Sequence, residues 1–82
     1  MNAHILIVDD DNRVTSALRR TLAYAGYQVS IAANGEGALS IVRTRPPDMV
    51  ILDLMLPGID GLEVCRRLRS AGDSIAVRHR LT

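Results

Sequence analysis

Eighty-two residues, a formal net charge of +1 and a hydrophobic fraction of 48% describe one small globular domain. They exclude a disordered chain and a strongly basic nucleic-acid binder, and with no apolar run longer than Ile5–Val8 or Met49–Leu52 they exclude a bilayer-spanning segment. All basic residues are arginines, with no lysine in the chain, and the single Cys65 cannot form an internal disulfide, so a reducing, cytoplasmic setting is expected.

The run Ile5-Leu6-Ile7-Val8, opened by His4, predicts a strand covered on both faces. Asp9-Asp10-Asp11 end it, a charge run that no signal peptide carries there. Asp11 or Asn12 caps the helix that follows. Val14, Ala17, Leu18, Thr21, Leu22 and Ala25 recur at three- and four-residue spacing and form one apolar stripe. Gly26 stops this helix. Tyr27 to Ala32 alternates and is more polar, as in an edge strand. Asn34-Gly35 signals a turn and a cap. A second helix turns Ala38, Leu39, Ile41 and Val42 inward and ends at Pro46-Pro47. Asp48 to Leu52 is a third strand, with Asp53 at its C-terminal end. A loop with Pro57-Gly58 follows, then Asp60 in a capping position with Glu63 three residues on. The third helix runs from about Gly61 to Ala71, with Leu62, Cys65 and Leu68 inward, and Gly72-Asp73 closes it.

Residues 74–82 form an atypical tail. Ser74 to Val77 suits the start of a strand. Arg78-His79-Arg80 does not suit the middle of a buried one, because charges there lose their hydration. A fourth strand is therefore left open.

Strands alternating with helices predict an α/β fold, a parallel sheet covered on both faces. The polar second strand belongs at an edge and the other two inside, which gives the order 2-1-3. The chain reverses direction between strands one and three, and open α/β sheets bind ligands at such a switch point. Asp9 and Asp10 end strand one and Asp53 ends strand three, on neighbours about 4.8 Å apart. Carboxylates this close repel, and a hard cation relieves them. A few oxygen ligands that leave room for water and phosphate suit Mg²⁺. With the ion, the pocket can hold a phosphoryl group; without it, the pocket repels one.

Bland readings suit most other residues. Asp11 is a cap, and Asp48 and Asp73 are turn residues. Arg66-Arg67-Leu68-Arg69 reads as a solvated helix face rather than a phosphate-binding patch. His4 is expected at the surface, and His79 has no visible partner. Cys65 is core rather than nucleophile, and Met49 and Met55 are too scattered to form a surface.

Ile7-Val8-Asp9-Asp10-Asp11, together with the stretch from Val50 through Asp53, Pro57 and Gly58 to Leu62, resembles the receiver domain of bacterial two-component response regulators. The second stretch is similar to the OmpR/PhoB-like winged-helix branch of transcription regulators. The likeness covers Ile5 to about Asp73. It implies a flavodoxin-like doubly wound parallel sheet. It implies Asp53 as the phosphoacceptor, loaded from a phosphohistidine on a sensor histidine kinase. Asp10 is the implied direct Mg²⁺ ligand, with Asp9 acting directly or through water. Asp53 and the backbone carbonyl of Met55 complete the protein's share of the metal shell. The chain is thus read as a signalling module and not an enzyme, with no contact of its own to nucleic acid or membrane.

Receivers of this kind run to about five strands and five helices. Residues 1–73 are read as a partial receiver domain, truncated near the place of strand four, and 74–82 as a remnant of that strand. The family's Ser or Thr at the end of strand four has Thr82 as its one counterpart by position. The family's lysine at the end of strand five has none, and arginine is not an equivalent point charge. Met49–Leu52 would lack an outer neighbour, and part of the Val14/Leu18/Leu22 stripe would lie bare. An open apolar edge invites pairing. The expectation is an impaired phosphoacceptor that dimerises by swapping or edge pairing, aggregates or folds marginally. One alternative is a structural, edge-pairing fragment that never takes phosphate. Another is a haloacid-dehalogenase-type phosphatase, for which Asp9-Asp10-Asp11 supplies Asp-x-Asp but Arg13 stands where Thr or Val belongs. A dinucleotide-binding half-domain fits worse, since aspartates replace the glycines of the first strand–helix turn.

Overall fold

The structure, a computed structural model, describes residues 2–53, 61–71 and 76–80, with side chains for 2–53 and 63–70. The chain runs β1 (His4–Val8), α1 (Asn12–Tyr24), β2 (Gln28–Ala32), α2 (Gly35–Thr44), β3 (Met49–Asp53), α3 (Gly61–Ala71) and β4 (Ala76–Arg80). Every strand pairing is parallel, and the order across the sheet is β2-β1-β3-β4. The expected 2-1-3 order is present. β1 is buried along its whole length, while β2 has mixed exposure and lies at an edge.

Local chemistry sets the helix ends. Asp11, in extended conformation, accepts a hydrogen bond from the Arg13 amide at 2.9 Å. That satisfies a donor with no partner inside α1. At the other end, the Gly26 amide donates to the Ala23 carbonyl at 3.0 Å and the Tyr27 amide to the Leu22 carbonyl at 3.1 Å. This paired closure needs a left-handed residue, and Gly26 has φ +101°. Asn34 caps α2 by accepting from the Gly37 amide at 2.8 Å. A Cβ on Gly37 would sit 3.2 Å from that Asn34 oxygen, so the missing side chain lets the cap close.

One face of the sheet carries the main core. Leu6 and Val8 of β1, Ala32 of β2, and Val50 and Leu52 of β3 pack with Ala38 and Val42 of α2 and Val64 and Leu68 of α3. Ile5 and Ile7 point the other way by strand alternation and are buried there. On that face α1 lies over β1 and β2. Its Val14, Leu18 and Leu22 are half-buried, as are Met49 and Ile51 of β3.

Two expectations need correction. Arg78-His79-Arg80 does form a strand, for Ala76 to Arg80 pair in parallel with Met49 to Asp53. The hydration objection applies to an interior strand, whereas β4 has a neighbour on one side only among the described residues. β3 is accordingly an interior strand and not an open edge. His4 is 5% exposed rather than at the surface. Its Nε2 lies 2.7 Å from Ser30 Oγ. Its amide donates to the Asp48 carboxylate at 2.8 Å, and its carbonyl accepts from the Asp48 amide at 2.7 Å. These partners replace the water that a polar strand start would otherwise need. The expectations for Leu62, Pro57, Gly58, Asp60 and Asp73 fall outside the residues or side chains described. No helix among the described residues is long and apolar enough to cross a membrane.

Candidate functional site

β1 and β3 are neighbours, and Val8 is the register partner of Leu52. The next residues, Asp9 and Asp53, therefore reach the same end of the sheet, where the chain changes direction. Asp9 is fixed from two sides. Its amide donates to the Ala32 carbonyl at 3.1 Å, which carries the β1–β2 pairing one residue past the strand. Its carboxylate accepts from the Asp11 amide at 2.9 Å. Asp53 is the last residue of β3, one position past the end of the β1 pairing at Leu52 and still paired with β4 on the other side.

The acidic run divides its labour. The Asp11 carboxylate turns away to cap α1. The Arg13 amide it accepts from holds its carboxyl below the ordinary range, against a smaller opposing push from desolvation. The Arg13 guanidinium, 3.6 Å away, adds to the lowering.

Asp9, Asp10 and Asp53 each offer a carboxylate oxygen, and these oxygens all lie within 4.8 Å of one another. Asp9 and Asp53 are each 3% exposed, and Asp10 is exposed. Two buried acids beside a third at the surface concentrate negative charge in low dielectric, which is costly unless a cation offsets it. The donor set is all oxygen and opens to solvent through Asp10. That fits a hard divalent ion that keeps part of its water, as Mg²⁺ does, and does not fit a soft metal.

The three carboxylates expected from the sequence are thus brought together. Met55 and Thr82 lie outside the described residues. Arg66 and Arg67 pair with Glu63 at 3.0 and 3.3 Å on the surface of α3, in keeping with a solvated face. Cys65 is partly buried against the core. Sequence reading treated Arg80 only as an obstacle to a strand, yet the register sets it beside Asp53. Extending β4 in parallel with β3 and counting along it finds that position.

Fold and site together define a doubly wound α/β domain with an acidic pocket at its switch point. Residues 5–78 match the response regulator receiver domain family, and the chain belongs to that family. It is 49% identical over 77 residues to Response regulator MprA of Mycolicibacterium vanbaalenii, covering 94% of this chain and 33% of that protein. The chain spans about a third of the length of the curated relatives it matches. Among solved structures, chemotaxis protein CheY4 of Vibrio cholerae matches with a TM-score of 0.90 at 30% identity, over 96% of this chain and 68% of that one. Response regulator protein TrrA of Thermotoga maritima, solved in complex with Mg²⁺-BeF, matches with a TM-score of 0.86 at 38% identity, over 94% of this chain and 66% of that one. The fold is the flavodoxin-like one that the resemblance implied.

Proposed function

We propose that this chain is the phosphoacceptor module of a two-component signalling system. Asp53 takes a phosphoryl group from a phosphohistidine on a sensor histidine kinase, and Asp9, Asp10 and Asp53 hold a Mg²⁺ ion. The meeting of these three carboxylates at one strand-end crevice carries the reading. Phosphoryl transfer depends mostly on positioning and charge. Asp53 meets the first need because β3 is paired on both flanks and its carboxylate is buried. A bound Mg²⁺ supplies positive charge that offsets the carboxylates and the phosphoryl oxygens. In the transfer, an Asp53 oxygen forms a P–O bond as the P–N bond breaks. The histidine nitrogen keeps the electron pair and takes a proton from water.

The Met55 carbonyl is the further proposed metal ligand, and Thr82 the proposed switch hydroxyl. The module works in the cytoplasm as a signalling part and not as an enzyme, with the kinase as partner. The likeness of residues 50–62 to the OmpR/PhoB-like branch supports transcription regulation as its output. Pairing of two copies through the outer edge of β4 is a second reading, since that edge has no described neighbour. Arg78 and Arg80 work against it, because a second copy presents the same charges.

The test is incubation with Mg²⁺ and acetyl phosphate. The expected product is an acid-stable, base-labile acyl phosphate that is absent from Asp53→Ala. Undiminished labelling of Asp53→Ala removes Asp53 from this role. Repeated turnover of a phosphoester points instead to the phosphatase.

A further inference from the structure

We propose that this chain self-associates through α2, with two copies packed antiparallel about a twofold axis between Leu39 and Ser40. This surface lies apart from the acidic crevice and from the outer edge of β4. A groove of about 370 Å³ runs between α2 and α3, lined by Leu39, Val42, Glu36 and Arg43 of α2 and by Arg67 of α3. Arg67 is already paired with Glu63 at 3.3 Å. Glu36 and Arg43 are exposed and form no ion pair among the described residues.

Helix spacing makes these two charges self-complementary. Residues 36, 39, 40 and 43 fall on one face of a helix with 3.6 residues per turn. Glu36 and Arg43 lie about 10.5 Å apart along its axis, too far to pair with each other. A second α2 running the opposite way removes that difficulty. When Glu36 stands opposite the other copy's Arg43, twofold symmetry sets Arg43 opposite the other copy's Glu36. Between these pairs Leu39 falls opposite the other copy's Ser40, a large side chain over a small one. Leu39 is half-buried and Ser40 exposed, so the contact covers apolar surface that one copy leaves to water. A parallel pair would set Glu36 against Glu36 and Arg43 against Arg43, which like-charge repulsion opposes.

Each charge also suits its own helix end, Glu36 in the first turn and Arg43 in the last. That role concerns the stability of one copy and leaves association unaltered, so the two are separable. Two helices of ten residues bury less than a standard interface, and the association is accordingly weak and reversible.

The test is sedimentation equilibrium of the full chain at concentrations up to about 1 mM. The samples are wild type, Glu36→Arg, Arg43→Glu, and an equimolar mixture of these two variants. Arg19→Glu, an exposed position on α1 with the same net charge as Arg43→Glu, is the control. All three substitutions are at exposed positions and leave the fold intact. The wild type is expected to shift from monomer to dimer with concentration. Each α2 variant alone carries only like charges on this face and should associate at least about tenfold more weakly. Their mixture restores both opposite-charge contacts and should regain wild-type association as a heterodimer. Arg19→Glu should match the wild type, and its mixture with Glu36→Arg should associate more weakly than the α2 mixture. A wild type that stays monomeric throughout overturns the proposal. So does a dimer that neither α2 variant weakens, which points to the outer edge of β4 instead. Loss of association without recovery in the mixture, or equal recovery with Arg19→Glu, also overturns it.

Discussion

Val8 on β1 and Leu52 on β3 are register partners, and the residue after each is a buried aspartate. Two side chains that sequence keeps far apart thus share one low-dielectric crevice, with Asp10 completing the set. Such an arrangement costs stability until a cation arrives. Asp53→Ala is therefore expected to raise the metal-free unfolding free energy by about 1 kcal/mol. Saturating Mg²⁺ is expected to raise the wild-type urea midpoint clearly and the variant's much less. Urea titrations with and without Mg²⁺ check both.

The main core sits between the sheet and α2 with α3. Leu68 is fully buried there. Leu68→Ala should cost about 2–5 kcal/mol, through lost burial plus the cavity left behind. That is a large share of the roughly 5–15 kcal/mol typical of a domain. Leu18, half-buried on α1, should cost about 1 kcal/mol in the same substitution. Urea midpoints of the two variants measure the contrast.

At the opposite end of the strands from the acidic site, His4 Nε2 lies 2.7 Å from Ser30 Oγ. Ser30→Ala leaves a buried ring nitrogen without its partner and should cost about 1–3 kcal/mol. Ser30→Thr keeps the hydroxyl and should recover most of that. Mg²⁺ affinity should be unchanged in both. Denaturation curves and a calorimetric metal titration check this separation of stability from function.

Asp11 gives the start of α1 a pH dependence of known sign. Its folded-state carboxyl lies below the ordinary value, chiefly because it accepts from the Arg13 amide. A lowered folded pKa means a contribution that is full above the unfolded value of about 3.9 and is lost as pH falls through the folded one. Asp11→Asn keeps an oxygen for the cap and removes the charge. The wild type should be the more stable form near pH 6, and the difference should close as pH falls below about 4. Unfolding midpoints of both proteins across that range measure it.

The sheet order was legible because β1 and β2 differ so plainly in polarity, which marks one as interior and the other as edge. The acidic site was legible because charged residues directly after two apolar runs have nowhere to go but the strand ends. Burial of His4 was not, since it depends on Ser30 and Asp48, 26 and 44 residues away. β4 was not, because the cost of placing Arg78 and Arg80 in a strand depends on that strand's place in the sheet, which local sequence does not state. Val64, a buried residue of α3, was passed over in favour of Leu62 and Cys65. The inward face of that helix is set by α2 as well as by the sheet, which widens the apolar arc beyond one stripe.

The most direct measurement of the central claim is to locate the phosphoryl group. The chain is labelled with acetyl phosphate in Mg²⁺, reduced with borohydride and sequenced by mass spectrometry. Borohydride converts an aspartyl phosphate to homoserine and so marks the residue that carried it. The account predicts the mark at position 53 alone, formed only when Mg²⁺ is present. A mark elsewhere, or equal labelling of position 53 after chelation of the metal, contradicts it.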